Sequence, residues 1–482
     1  MPPSCSDPPE PASAYTPPSS LWSLRFAMFA RILTFVTLAA VANAYWTFGG
    51  TPILVQTRLD SIVSPGVVSS HVHAVVGASG FGPNYDPDQL MQSKCTTLSV
   101  QKDLSNYWAP QLYHRDQNTG QFTAIPSVFN IYYLPRPGPK NEPIKAFPKG
   151  LRMLAGDTFR RTYNASSFED QAIDFVCLTP NGGSDEAPPL PTQECVGGLR
   201  AQIFFPSCWD GVNLDSADHK SHMAYPIQAY NGGDCPDTHP VHLISLFYEM
   251  EVAVQQFDWH GPGTWVFANG DTTGYGLHAD FQNGWDVDLL QAAIDQCSGE
   301  SGDLLACPPL AALYDPQAAA ACVYEGVVAD EPTGVDAPIT DLPGCNPVYN
   351  SGQTCPSKPT PALVSVQTPL PAGWTEIGCI AEGTSGRALA ALSTTAPNMS
   401  KDVCASFCAN NGYTLAGAEF GDECYCDNAL RNGATGAVLE WDQCSNRCAG
   451  NAFENCGGSS KLTLMSHGGN VARAVRFAKD AA

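Results

Sequence analysis

The chain has 482 residues, of which 44% are hydrophobic and 15% are charged. This length exceeds what one hydrophobic core usually organises, so two or more domains joined by linkers are expected. The formal net charge of −23 repels phosphate backbones and argues against nucleic acid as a partner.

The first 44 residues have the pattern of a leader and signal peptide. Arg25 and Arg31 precede the apolar run 32–40, and the small residues 42–44 follow it, which predicts cleavage after Ala44. The run is shorter than the roughly 20 residues that span a bilayer. We therefore expect a secreted, extracellular or wall-associated protein without a stable membrane anchor, whose initiator is either Met1 or Met28.

Cysteine usage agrees with an oxidising compartment. Loss of Cys5 with the leader leaves 18 of the 19 cysteines, an even number suited to disulfides. Two sequons, at Asn164 and Asn398, are compatible with N-glycosylation.

Residues 45–308 alternate short strand-like runs with turn signals, and this pattern predicts a β-sandwich-like domain in a mainly β protein. The strand-like runs include 202–205, 242–248 and 264–268. One helix is predicted over Asp286–Cys297, because Leu289, Leu290, Ala293 and Ile294 face one way at helical spacing.

Residues 309–372 are rich in Pro, Ala, Thr, Gly and Asp, which predicts a linker. Cys322, Cys345 and Cys355 indicate that disulfides fix part of it. Residues 318–322 are a candidate short helix lying on the first domain. A polar tail covers 467–482.

Residues 373–466 hold eight cysteines, enough for four disulfides in a small core. These are Cys379, Cys404, Cys408, Cys424, Cys426, Cys444, Cys448 and Cys456. The module resembles a WSC domain in the motifs Gly373–Cys379, Cys404–Cys408, Phe420–Cys426, Cys444–Cys448 and Glu454–Gly458.

The resemblance implies a small disulfide-rich α+β module that binds β-glucan or a chitin-like wall polysaccharide. Four side chains are candidates for glycan binding, because aromatic faces stack on sugar rings and carboxylates accept hydrogen bonds from hydroxyls. They are Glu419, Phe420, Tyr425 and Trp441.

Residues 45–308 resemble a fungal family known only as a domain of unknown function, DUF1996. The resemblance is carried by Ser70–His73, Phe147–Gly150, Met153–Asp157, Phe205–Gly211, His219–His222, Asn269–Asp271 and Gly274–Phe281. It implies no particular chemistry. Leu98 stands where this family often has a second cysteine, which leaves the partner of Cys95 open.

The histidines of this domain are spaced for a shared site. His71 and His73 project from one face if they lie on a strand, His278 and Asp280 repeat that spacing, and His219 and His222 are spaced for a helical turn. A divalent metal on His71, His73 and His278 is one interpretation. A catalytic cleft without metal is another, with the candidates His71, His73, Asp157, His219, His222, Asp271, His278 and Asp280. Purely structural histidines are the third.

The sequence leaves enzyme activity open. It contains no nucleophile elbow, phosphate loop or dinucleotide fingerprint, whereas Asp157, Asp210, Asp271 and Asp280 could supply two carboxylates for glycoside hydrolysis or a related reaction. The leading hypothesis is a secreted polysaccharide-interacting protein whose N-terminal histidine and aspartate cleft acts on carbohydrate. The alternative is a non-catalytic wall or matrix component whose histidines bind metal or glycan.

Overall fold

A computed structural model describes residues 45–468 except 298, 300, 353 and 355–358. The predicted leader 1–44, Cys355 and the tail beyond 468 lie outside the described residues. In the described part of the chain, strands far outnumber helices, so the mainly β prediction is confirmed. No helix in that part is long and apolar enough to cross a lipid bilayer.

The strands of the first half are β1 Trp46–Pro52, β2 Val55–Thr57, β3 His73–Gly77, β4 Asn106–Pro110, β5 Leu112–Arg115, β6 Phe122–Ala124, β7 Ser127–Leu134, β8 Arg152–Gly156, β9 Ile173–Thr179, β10 Gly182–Gly183, β11 Gly198–Phe204, β12 Cys208–Trp209 and β13 Met223–Ala224. Those of the second half are β14 Val241–His242, β15 Ser245–Val252, β16 Trp265–Phe267, β17 His278–Gln282, β18 Val327–Ala329, β19 Leu363–Ser365, β20 Trp374–Ala381, β21 Leu392–Thr395, β22 Leu415–Glu419, β23 Glu423–Asp427, β24 Arg447–Cys448, β25 Asn451–Asn455 and β26 Lys461–His467. The α-helices are α1 Pro87–Leu90, α2 Phe168–Gln171, α3 Val287–Gln296, α4 Pro308–Ala311, α5 Pro316–Ala321 and α6 Lys401–Asn410.

Two large antiparallel sheets form the layers of the N-terminal domain, which also contains the three-stranded sheets β13-β12-β14 and β16-β5-β6. One large sheet has the order β1-β7-β15-β11-β9-β10 and the other the order β2-β3-β4-β17-β8. Because side chains alternate between the faces of a strand, each sheet turns one apolar face toward the other. Tyr107 of β4 meets Tyr248 of β15 with ring centroids 5.6 Å apart, and both rings are buried. The predicted sandwich-like architecture is present.

The helix predicted over Asp286–Cys297 is confirmed as α3. Asp286 caps it by accepting a hydrogen bond from the Leu289 amide, which satisfies one donor of the first turn. Leu290 and Ala293 are buried in the sandwich core, on the face that the spacing indicates.

The described part of 309–372 packs on the sandwich. Cys322, next to α5, forms a disulfide with Cys95, which supplies the partner that the sequence leaves open. Strands β18 and β19 pair with each other, and Tyr324 is buried in one cluster with Trp108 of β4. This segment therefore covers part of the outer face of the five-stranded sheet.

The C-terminal module is a sheet of order β20-β26-β22-β23-β21 with α6 packed on it. Its eight predicted cysteines form four disulfides, which are Cys379–Cys444, Cys404–Cys424, Cys408–Cys426 and Cys448–Cys456. In so small a core these bonds replace apolar area that the module cannot bury.

The C-terminal module contacts the sandwich through the segment around Cys322. Arg447 donates a hydrogen bond to the Cys322 carbonyl over 2.8 Å, and Asn455 donates to the Ala321 carbonyl over 3.3 Å. Trp441 and Phe453 pack against the cluster that contains Tyr324. The disulfide to Cys95 thus fixes the surface on which the module rests.

The outer face of the six-stranded sheet carries polar side chains in a row across the strands. Asp174, Gln202, Glu249 and Asn130 are successive cross-strand neighbours in this row. Gln202 Nε2 donates to Asp174 Oδ1 over 2.7 Å. Burial, together with the nearby Glu186, raises the pKa of Asp174 to about 7.

Asp174→Asn should stabilise the protein more at pH 8 than at pH 5. Because the folded-state pKa lies above the ordinary 3.8, the folded protein binds this proton more tightly than the unfolded chain, and stability is lost as pH rises through 7. The gain in unfolding free energy should be larger at pH 8 by on the order of 3 kcal/mol. Denaturant unfolding at both pH values measures this gain. An equal gain at pH 5 and pH 8 would contradict the raised pKa of Asp174.

Candidate functional site

The outer face of the five-stranded sheet carries a second set of polar side chains. His73 begins β3 and His278 begins β17, and both strands pair with β4. Asp280 follows His278 by two residues and therefore projects from the same face. The chain between β2 and β3 covers this face, with the Leu59 carbonyl bound to His73 and Ser61 Oγ bound to Gln282.

Three histidine rings meet beneath this cover. His71 Nε2 lies 3.0 Å from His278 Nε2, and the rings of His71 and His73 have centroids 4.3 Å apart. Each ring offers a nitrogen within 4.8 Å of the other two. Their exposed fractions are 4% for His71, 0% for His73 and 2% for His278, so the cluster is closed to solvent.

Backbone carbonyls fix the tautomers of two of the rings. Nδ1 of His73 lies 2.9 Å from the Leu59 carbonyl oxygen, and Nδ1 of His278 lies 3.0 Å from that of Gly276. A carbonyl only accepts, so both Nδ1 atoms donate and both Nε2 atoms keep a lone pair. His73 Nε2 is buried and has no hydrogen-bond partner within the residues that the structure describes. Histidines that ligate metals are held in the same way, with the second ring nitrogen donating to a carbonyl or carboxylate.

Burial keeps these rings neutral. It lowers the pKa of His73 and of His278 to about 4. It also lowers the pKa of His71 well below its ordinary value, and the neighbouring His73 and His278 add to the effect. Each ring therefore keeps one nitrogen lone pair in mildly acidic solution, which for His73 and His278 is that of Nε2.

Two carboxylates accompany the histidines. Asp280 is fully buried and neither of its oxygens has a hydrogen-bond partner in the described part of the chain, so burial and the nearby Asp60 raise its pKa well above the ordinary value. Asp60 is also buried, and it accepts hydrogen bonds from the amides of Ile62 and Val63. Sequence reasoning missed Asp60, because no motif or spacing marks a lone aspartate in the covering loop.

His219 and His222 do not join the three rings. They lie in a turn, with φ of 57° at His219, and the helical turn expected for this pair does not form. His219 Nδ1 binds Asp215 over 2.8 Å, and His222 Nε2 binds the Arg152 carbonyl over 2.8 Å. Both rings therefore hold the loop that runs along edge strand β8.

Three further candidate aspartates shape turns. Asp157, Asp210 and Asp271 each accept hydrogen bonds from backbone amides of their own turns. Asp271 is fully buried and also accepts from the Gly276 amide over 2.8 Å. Since the Gly276 carbonyl binds His278, Asp271 positions the loop that orients this ring.

A cavity of about 770 Å³ borders the segment that carries His71. Arg58 lines the cavity, forms an ion pair with Glu331 and donates to the Ser69 carbonyl over 2.8 Å. Gly344, on the same wall, lies against the Ser70 carbonyl. Residues 69–71 are thus in contact with both the cavity wall and the histidine cluster.

In the C-terminal module, three of the glycan-binding candidates lie near one another in the chain. The guanidinium of Arg387 lies 4.3 Å from the centre of the Tyr425 ring and forms an ion pair with Glu419. Glu419 is 1% exposed, whereas Phe420 is 51% exposed. The fourth candidate, Trp441, packs at the contact with the sandwich.

The fold and the site define a disulfide-stabilised two-domain β protein with a buried histidine cluster in its larger domain. Residues 60–285 match the family model described as Domain of unknown function (DUF1996), and residues 376–458 match that of the WSC domain. The chain therefore carries a DUF1996 domain followed by a WSC domain, as the sequence motifs predict.

Curated relatives match only part of the chain. A WSC domain-containing protein of Arthroderma benhamiae is 37% identical over 113 residues, which are 23% of this chain and 12% of the relative. A putative fungistatic metabolite of Chaetomium globosum is 35% identical over 136 residues, 27% of this chain and 58% of the relative. Kremen protein 2 of Mus musculus is 33% identical over 90 residues, 18% of this chain and 19% of the relative.

Proposed function

We propose that the protein works outside the cell as a wall polysaccharide-binding protein. In this proposal the WSC domain binds glucan or a chitin-like polymer, and the DUF1996 domain holds a divalent transition metal on His71, His73 and His278. The convergence of one ring nitrogen from each of three histidines, two of them with tautomers fixed by carbonyls, is the observation that carries the metal assignment.

The donor set suits a first-row transition metal. Neutral imidazoles bind zinc, copper, iron and nickel, whereas calcium and magnesium prefer oxygen ligands. A bound cation would supply positive charge beside the buried Asp280, whose oxygens have no partner among the described residues. Without a metal, His71 Nε2 donates to His278 Nε2 over 3.0 Å, and a bound cation would take the place of that proton.

Burial favours the non-catalytic alternative for the DUF1996 domain. A catalytic acid or base must come within hydrogen-bond reach of its substrate, and the three rings are at most 4% exposed. Asp157 and Asp271 are occupied by turn amides. A structural or storage role for the metal agrees with this geometry better than a cleft that acts on carbohydrate.

Disulfides support the extracellular part of the proposal, and aromatic side chains of the WSC domain support polysaccharide binding. Eight disulfides among the described cysteines are typical of proteins from oxidising compartments, including the outside of the cell. Phe420 offers an exposed ring, and Tyr425 is half-buried with the Arg387 guanidinium over its ring. Sugar-binding sites combine such apolar faces with a few polar groups.

Phe420→Ala and Tyr425→Ala should each weaken binding of the full chain to insoluble β-1,3-glucan or chitin about tenfold, because loss of one stacking ring costs roughly 1.4 kcal/mol. Depletion isotherms measure the change. Trp441→Phe is the matched control, since this ring packs at the domain contact and its replacement should leave binding unchanged. Full binding by both alanine variants would refute the assignment.

A further inference from the structure

The outer face of the six-stranded sheet has three parallel rows of side chains. An aromatic row holds Phe204, Phe247 and Tyr132, which are successive cross-strand neighbours. The polar row of Asp174, Gln202, Glu249 and Asn130 lies beside it. A third row holds Val176, Arg200, Glu251 and Val128.

The aromatic row belongs to a larger patch that is only partly buried. Tyr45, Tyr132, Tyr230 and Phe247 pack at the edge of a small cluster around Phe204 and keep part of their surface exposed. Phe204 and Phe247 are stacked with centroids 5.4 Å apart. The rings thus form a platform at one end of the sheet face.

The polar row has hydrogen-bonding capacity that the protein does not use. Glu249 accepts from Tyr132 over 2.7 Å and from Asn130 over 3.1 Å. Gln202 is 4% exposed and donates to Asp174 and Glu186, but its Oε1 has no partner among the described residues. A buried acceptor without a donor is costly. At 4% exposure a ligand reaches this oxygen only if neighbouring side chains move, so direct contact falls to the partly exposed rings and charges beside it.

Two depressions continue this face beyond the polar row. One of about 440 Å³ is lined by Val176, Leu178 and Arg200 together with residues 183–186. The other, of about 270 Å³, is lined by Val128, Glu251 and again Leu178, among others. Because Leu178 borders both, they form one continuous surface next to the rows.

The chemistry of the face selects its ligand. Carboxylate and amide oxygens predominate, so the ligand must bring hydrogen-bond donors, and the aromatic platform needs apolar ring faces to stack on. Acidic side chains outnumber the cations Arg136 and Arg200 here, which disfavours polyanions. A chain of pyranose rings, with hydroxyl or amino groups at its edges, meets these requirements.

We infer that the outer face of the six-stranded sheet is a second polysaccharide-binding surface, separate from the WSC domain. The WSC domain contacts the cluster around Trp108, on the outer face of the opposite sheet of the sandwich. The two surfaces therefore face away from each other. This inference extends the proposed function but does not depend on the WSC assignment, because its residues are all in the DUF1996 domain.

The test compares the full chain with the double variant Tyr132→Ala/Phe247→Ala, each with and without Tyr425→Ala. The probes are a soluble β-1,3-glucan and chitosan, with binding measured by calorimetry. In proteins that carry Tyr425→Ala, part of the binding should remain. Adding Tyr132→Ala/Phe247→Ala should weaken this remaining binding at least tenfold. Phe159→Ala, which removes an 86% exposed ring outside the rows, is the control and should change nothing.

The variant Glu251→Lys leaves the aromatic row intact, so it tests the same surface if Tyr132→Ala/Phe247→Ala does not fold. It should weaken chitosan binding at least tenfold and leave glucan binding within about twofold, because only the amino sugar is cationic. Unchanged binding of both polymers by a folded face variant would overturn the inference. Binding of Tyr425→Ala at background level would also overturn the inference, because no second surface would then contribute. The same result would support the WSC assignment.

Discussion

The double variant His73→Ala/His278→Ala should bind almost no transition metal, whereas the purified wild type should hold about one equivalent. Each of these two rings presents an Nε2 lone pair fixed by a carbonyl bond at its other nitrogen. Without them His71 is the only imidazole left at the site, and a single histidine does not retain a divalent ion against dilution. Elemental analysis after loading with zinc, copper or nickel and removal of excess metal measures the loss.

The matched control for this experiment is His222→Ala. His222 is also buried and also bonds a backbone carbonyl, but it lies outside the cluster, next to Arg152. The control should keep its metal, and both proteins should keep the circular dichroism of a β protein. Metal retained by the double variant, or a wild type that takes up none of the three ions, would refute the metal site.

Removal of the Cys95–Cys322 disulfide should cost about 5 kcal/mol of unfolding free energy. The bond joins residues 227 apart in the chain, so its loss releases a long loop in the unfolded state. It also fixes the segment on which Arg447 and Asn455 of the C-terminal module rest. Denaturant unfolding of Cys95→Ala/Cys322→Ala measures the cost, and hydrogen exchange in α5 should rise at the same time.

The short disulfide Cys448–Cys456 is the comparison, because it spans only 8 positions. Its removal should cost about 3 kcal/mol on the same loop-entropy relation and leave exchange in α5 unchanged. Equal losses from both pairs would show that chain entropy does not govern the difference. An unaltered exchange rate in α5 after loss of Cys322 would show that other contacts hold this segment in place.

Local pattern alone determined much of this protein. Asp286 with the spacing of Leu290 and Ala293 predicts α3, since a helix needs only a cap and one apolar face. The order of eight cysteines predicts the disulfide-stabilised C-terminal module. The i, i+2 spacing of His71 and His73 predicts a shared face for two rings, because strand geometry repeats every two residues.

Tertiary structure decided how these pieces combine. His278 reaches His71 only because β17 and β3 both pair with β4, a topology that spacing along the chain does not encode. Asp60 joins them from a covering loop, and His219 and His222 leave the set because a positive φ turns their loop along β8. The rows on the six-stranded sheet arise in the same way from the register of four strands, so no single stretch of sequence reveals them. Local pattern fixes which face a side chain takes, but strand order and register fix its neighbours, and these are set by packing of the whole core.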